Sequence, residues 1–234
     1  MFAAVLDSTR RKATHPDWRA GLPSLTGPTV RLRELRTSDA PALLAHLATD
    51  EVARFISPPP TDVRGFERFL AWAIRQREAG QYACYGVTLQ DDDTAIGLFQ
   101  VRQLDAAFST AEWGFALASA FWGTGVFQES AELMLEFVFD TLGVHRLEAR
   151  AALQNGRGNG ALRKLGAVQE GHLRRSFFRN GRPLDQFLWT VLDEDWRARR
   201  MAARFHLASI RPVRQPSVDA WSLAQSMLLF RSAL

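Results

Sequence analysis

Residues 121–166 read FWGTGVFQESAELMLEFVFDTLGVHRLEARAALQNGRGNGALRKLG. Two glycines, Gly123 and Gly125, precede a run in which Ala131, Leu135, Val138 and Phe139 recur at helical spacing, with Met134, Phe137 and Leu142 widening the stripe. That pattern predicts a helix over 126–142, about five turns long. A strand over 144–153 follows, then Asn155 and a short helix near 159–165. Glycine turns the backbone where other residues resist, and the first N–H groups of a helix have no partner within it. The N–H groups of residues 123–128 are therefore expected to converge on an anion at the positive end of the helix dipole, and a diphosphate fits such a cradle.

Downstream, residues 168–178 and 185–192 read as two strands, with Asn180-Gly181 as the turn signal between them. A basic helix is expected from Glu194 to about His206, and 217–234 carries an apolar face suited to a terminal helix packed on the body or on a second subunit. Upstream, 1–28 mixes Pro, Gly, Ser and charge and reads as a tail with little structure. Thr29–Glu34 alternates as a first strand, and Thr37 or Ser38 caps a helix running through Thr49 with Pro41 in its first turn. After Pro58-Pro59-Pro60, Thr61 is expected to cap a helix over 61–79. Strands are predicted at 82–90, 94–103 and 109–117. Asp91-Asp92-Asp93 lies between two of these, where aspartate suits a turn better than a metal site.

With 234 residues, 47% apolar and 23% charged, the chain has the make-up of a globular protein with a full core. No apolar run reaches the roughly 18–20 residues of a membrane span, and the basic Arg10-Arg11-Lys12 follows the apolar start, the reverse of a secretory signal. A cytoplasmic protein is expected. The single cysteine, Cys84, falls in a predicted strand and is expected to be a buried structural thiol. The net charge is +4, and lysine occurs only at 12 and 164, so arginine dominates the basic set. The arginines are scattered, whereas a nucleic-acid reader gathers them on one stripe; an anionic cofactor or acidic partner, or simply a solvated surface, accounts for the excess. No His/carboxylate spacing suggests a metal.

The order of these signals resembles the GNAT superfamily of N-acetyltransferases, and within it the ribosomal-protein alanine N-acetyltransferase branch. The resemblance covers roughly 29–196. It rests on Arg31-Leu32-Arg33, the Ala-Glu-Trp-Gly strand at 111–114, the glycine loop at 122–127, Leu142-Gly143-Val144-His145-Arg146, Asn155, Lys164-Leu165-Gly166, Glu170-Gly171 and the Arg179-Asn180-Gly181 turn before Asp185. It implies an α/β fold with a mixed, mostly antiparallel sheet of seven strands, splayed at its centre, with helices on both faces. The chain would then comprise a tail at 1–28, the acetyltransferase domain at 29–196 and a helical extension at 197–234.

The implied reaction is acetyl transfer from acetyl-CoA to a primary amine, a protein N-terminus or a small amine, by direct attack and without a metal. The pyrophosphate would lie on Trp122, Gly123, Thr124, Gly125, Val126, Phe127 and Gln128. The pantetheine arm would pair with the backbone of Phe115, Ala116 and Leu117, one of whose N–H groups would hold the oxyanion. Asn155, with Asn159 beside it, would hydrogen-bond the arm, although Asn155 also suits a turn. Glu112 is the candidate base, through a water, or else an ion-pair partner on a strand. Glu129 and Glu132 suit the dipole of their helix. Trp122 replaces the loop's usual Arg or Gln, Phe127 its last small residue, and Gly158 a Ser after the Asn. These departures shift the phosphates onto backbone amides and onto Arg157, Arg163 or Lys164, and they leave open a rival reading as a catalytically weak coenzyme-A-binding or assembly module. A homodimer and an acceptor other than nucleic acid complete the expectations.

Overall fold

The computed structural model describes residues 17–209, with side chains through 205. Eight strands form one sheet in the order β1-β2-β3-β4-β5-β6-β8-β7. They are β1 (Leu25–Thr26), β2 (Val30–Glu34), β3 (Tyr82–Leu89), β4 (Gly97–Gln103), β5 (Thr110–Leu117), β6 (Arg146–Ala152), β7 (Val168–Arg179) and β8 (Arg182–Leu192). Only β5 and β6 run parallel. The mixed, mostly antiparallel α/β fold expected from the sequence is present. The count is eight rather than seven because β1 arises inside the predicted tail, pairing Leu25 with Leu32 and Thr26 with Arg31. Other parts of that stretch also pack: Trp18 meets Phe108 edge-on at 5.9 Å, and the buried Arg77 donates to the Arg19 carbonyl.

Alternation along the strands sorts side chains onto two faces. Ala83, Tyr85, Val87, Phe99, Val101, Ala111, Trp113, Leu147, Ala149 and Trp189 point to one core, which takes in α4 (Val126–Glu136), the wide turn Phe137–Leu142 that continues it, and Leu162 and Leu165 of α5 (Gly156–Lys164) and its end. Tyr82, Cys84 and Leu98 point to the other, covered by α1 (Ala40–Leu47), α2 (Asp50–Ala53) and α3 (Val63–Glu78). The chain's contacts divide it after Trp196 into two units; the sheet and α1–α5 belong to the first. A last helix, α6, spans Asp193–Ser209, whereas the helix expected at 217–234 lies outside the described residues.

Local chemistry accounts for several boundaries. The single helix expected up to Thr49 is interrupted, because Thr49 turns extended and its side chain caps α2 by accepting from Val52 N at 3.4 Å. Asp62, not Thr61, caps α3, its Oδ1 accepting from Gly65 N at 2.6 Å. Asp92 closes its turn on Thr94 N at 2.8 Å, as the turn reading requires. Asp93 does more, gathering the guanidinium groups of Arg31, Arg33 and Arg36 at 2.7–3.0 Å. Glu129 takes N–H groups from Thr29 and Val30 at 2.8 and 3.1 Å, tying the entry of β2 to the first turn of α4.

Candidate active site

The β5–β6 ladder consists of Thr110↔Arg146, Ala111↔Leu147 and Glu112↔Glu148, and it stops there although both strands continue, β5 to Leu117 and β6 to Ala152. Beyond Glu112 the sheet is open between them. Which backbone groups face that opening follows from register. Leu104 N donates to Thr110 O and Ala118 N to Ile96 O, both at 2.8 Å. Antiparallel pairs alternate, so the even residues of β5 spend their N–H and C=O groups on β4, and the odd ones turn toward β6. Phe115 and Leu117 therefore present backbone to the gap, whereas Ala116, expected alongside them, turns to β4.

Past the end of β5 the chain enters the glycine loop. Gly123 and Gly125 have φ of +81° and +95°, and a Cβ at either would meet nothing within 4 Å. Glycine is needed there for the left-handed backbone and not for room. Gly125 is the N-cap of α4, and no side chain caps that helix. The first internal bond is Glu129 N to Gly125 O, which leaves the N–H groups of the first turn without helical acceptors. Thr124 Oγ1 donates to Phe121 O at 2.8 Å and takes only a long contact, 3.5 Å, from Val126 N. The half-buried Phe127 ring stacks on Phe99 and tilts against Phe115, at 5.7 and 4.7 Å, packed against the core beneath α4.

Trp122 lies at the corner. Its indole N–H donates to Leu117 O at 2.9 Å, and the Arg157 guanidinium lies 3.8 Å above its ring. Asn155 caps α5, Oδ1 accepting from Gly158 N at 2.9 Å, so only its Nδ2 remains to offer. A Cβ at Gly158, where a serine was expected, would come within 2.6 Å of that Nδ2, so a side chain there would require the Asn155 amide to shift. Asn159 departs from the expectation. It is 6% exposed; Nδ2 donates to Ala152 O and Asn155 O, and Oδ1 accepts from Trp189 Nε1, all at 2.9 Å. Its side chain ties α5 to the sheet and is not available to a cofactor.

Glu112 stands on the α1–α3 face at the last paired row, its side chain 19% exposed, accepting from Arg102 Nη2 at 2.8 Å with Arg150 Nε at 3.7 Å. Its neighbour across the parallel pair is Glu148, 14% exposed and bound by Arg146 Nε at 2.8 Å. Arg146 also reaches Glu170 at 2.7 Å, and that contact holds the Glu170 carboxyl below its ordinary range. Sequence reasoning singled out Glu112 and missed Glu148; the parallel register, which puts the two carboxylates side by side, is the signal that finds it. On the same face the β7–β8 hairpin reaches across to α2, Arg179 Nη2 donating to Ala53 O at 2.8 Å. A bulge between Leu173 and Phe177, with Arg175 at φ +51°, shapes this arm. Asp185 steadies it by accepting from Arg175 N at 2.8 Å beside His172 Nε2 at 2.7 Å, contacts that keep its carboxyl below the usual value.

Residues 29–168, more than half of the chain, match the model of the acetyltransferase (GNAT) domain. The chain belongs to the GNAT acetyltransferase family. An uncharacterized N-acetyltransferase, p20 of Bacillus licheniformis, is 25% identical over 168 residues, covering 71% of this chain and 94% of that one. A spermidine N(1)-acetyltransferase of Vibrio cholerae is 29% identical over 90 residues, 38% and 52% of the two chains. The fold is shared with Mycobacterium smegmatis RimJ, solved with a coenzyme A disulfide: TM-score 0.70, 22% identity, 81% of this chain and 97% of that one. Acetyltransferases of the family use acetyl-CoA. Among the described residues no group of three or more His, Cys, Asp and Glu side chains is placed to hold a metal ion, and no helix is long and apolar enough to cross a membrane.

Proposed function

We propose that this GNAT acetyltransferase moves the acetyl group of acetyl-CoA directly onto the primary amine of a peptide N-terminus, with no acyl-enzyme intermediate, in the manner of the ribosomal-protein branch. The observation that carries the reading is the gap beyond Glu112 and Glu148, flanked by the backbone of Phe115 and Leu117 and ending at the bare first turn of α4. The amides of 123–128 take the pyrophosphate. Phe115, by its N–H and C=O, and Leu117, by its N–H, pair with the amides of the pantetheine arm, and Asn155 adds its Nδ2. Acetyl-CoA supplies the activated acetyl group: the amine nitrogen bonds to the thioester carbon, the C–S bond breaks, and the coenzyme A thiolate leaves and takes a proton from water. A β5 N–H facing the gap stabilises the oxyanion, a contribution typically worth about 3–4 kcal/mol.

Glu112 accepts the amine's proton through a water, exchanging part of its hold on Arg102 for that role, while Glu148 keeps the entrance to the gap negative beside it. Arg174, Arg175 and Arg182 on the exposed arm favour an acceptor with acidic residues near its amine over a polyamine. Expected residence is the cytoplasm. A thiol-release assay with acetyl-CoA and a panel of amines tests this. Peptides with an acidic residue near the N-terminus should exceed spermidine in kcat/KM by at least tenfold. The opposite preference would reverse the acceptor assignment, and no release with any amine despite coenzyme A binding would favour the non-catalytic module.

A further inference from the structure

In a GNAT site the diphosphate brings two negative charges, and amides alone meet them only with partial charges. Here the loop contributes no cation of its own, since Trp122 occupies the place where an Arg or Gln was expected. The nearest candidate comes from the other side of the gap. Arg157 stands in the first turn of α5, after β6, exposed and with no carboxylate partner among the described residues. Its guanidinium nevertheless has a fixed seat 3.8 Å above the Trp122 ring. That indole is itself anchored, its N–H on Leu117 O at 2.9 Å. Arg157 is thus tied, through Trp122, to the end of β5 and the start of the glycine loop. The two other cations of α5 are elsewhere: Arg163 lies over Trp189 at 5.5 Å, and Lys164 is seven residues on, about 10 Å along the axis.

We propose that Arg157 is the cation that grips the pyrophosphate of coenzyme A, and that Trp122 is its positioning residue. The proposal rests on the acetyl-CoA reading above. Three physical features carry it. A guanidinium spreads its charge over a planar fork of donors that matches paired phosphate oxygens. Stacking on an aromatic face supplies a restraint that an exposed arginine otherwise lacks, so less side-chain entropy is lost when a ligand arrives. And Trp122 immediately precedes Gly123, so the cation held over its ring is next to the amides that would receive the same anion. The pair also joins the two sides of the gap, so the ligand would be held by both β5 and α5.

Calorimetry on the full chain with coenzyme A, dephospho-coenzyme A and pantetheine tests the assignment. Arg157→Ala should weaken coenzyme A and dephospho-coenzyme A alike, by about tenfold, flatten the salt dependence of both, and leave pantetheine unchanged. Trp122→Leu should weaken them by about three- to fivefold, and the double variant should be no worse than Arg157→Ala alone, because the indole acts through the arginine. Trp122→Phe keeps a ring and should stay within about threefold of the parent, which separates the stacking role from damage to the loop. Loss confined to coenzyme A, with dephospho-coenzyme A unaffected, would move Arg157 to the 3′-phosphate and overturn the proposal; so would additive losses in the double variant. If the parent binds coenzyme A and Arg157→Ala binds it equally well, this inference alone fails; if the parent binds none, the acetyl-CoA reading fails with it.

Discussion

The two sides of the site are built from different materials. The side proposed for the cofactor is mostly backbone, with left-handed glycines at 123 and 125, an uncapped helix turn and the odd residues of β5 beyond the ladder, to which Arg157 over Trp122 adds a side-chain pair. The side proposed for the acceptor is side chain: Glu112 paired with Arg102 and Arg150, and beside it Glu148 paired with Arg146, which also reaches Glu170 on β7. Backbone groups bind whatever side chains surround them, provided the torsions are right, so a cosubstrate held this way makes few demands on sequence. On the proposed reading, charged side chains set which amine approaches and what happens to its proton, so chemistry and specificity would be concentrated there.

That division predicts which parameters separate. Glu112→Gln should lower kcat by about 100-fold or more, the usual range for a lost general base, while the coenzyme A Kd stays within about twofold. An equal fall in cofactor affinity would show that the two sides are not independent. Next in size, Asn159→Leu should cost about 1–3 kcal/mol of stability, because it leaves the buried Trp189 Nε1 without its acceptor, while Ala152 O and Asn155 O keep their backbone donors Asn155 N and Asn159 N. Denaturant titration measures this, and the folded fraction should still bind coenzyme A normally. Unchanged stability with lost binding would return Asn159 to the cofactor.

The cofactor side was the more legible in sequence. Gly-Thr-Gly before an amphipathic run dictates φ and helix start locally, within a handful of residues, and the structure has both. What the sequence concealed depends on register between distant segments. Glu112 and Glu148 are 36 positions apart and become neighbours only through the short parallel ladder. The partition of Phe115 and Leu117 from Ala116 requires knowing which β5 residues bond to β4. Asn159 sat one helical turn after Asn155 and read as its companion at the cofactor; its commitment to Trp189 is a tertiary fact. The strand at Leu25–Thr26 was hidden for a similar reason, since two residues carry no periodicity and pairing with β2 alone makes them a strand.

Smaller effects sharpen the contrast. Gly125→Ala, which forces a side chain into φ near +95°, should raise KM for acetyl-CoA about tenfold with kcat at saturation little changed; the strain itself is on the order of 1–3 kcal/mol. A fall in kcat instead would assign the loop a part in the chemistry. The smallest expected signal comes from Cys84, which packs beneath α3, its thiol pushed up to about 12 by burial. The native protein at pH 8 should react with a thiol reagent only as fast as it unfolds, giving the thiol-release assay a flat baseline. Rapid labelling would mean that the acceptor-side core opens.

Amide hydrogen exchange along β5, with and without coenzyme A, addresses the central claim most directly. If the gap receives the pantetheine arm as an added strand, the amides of Phe115 and Leu117 should slow by at least tenfold on binding, while Ala116, already bonded to β4, changes little. Binding of coenzyme A that leaves Phe115 and Leu117 as they were would contradict the account.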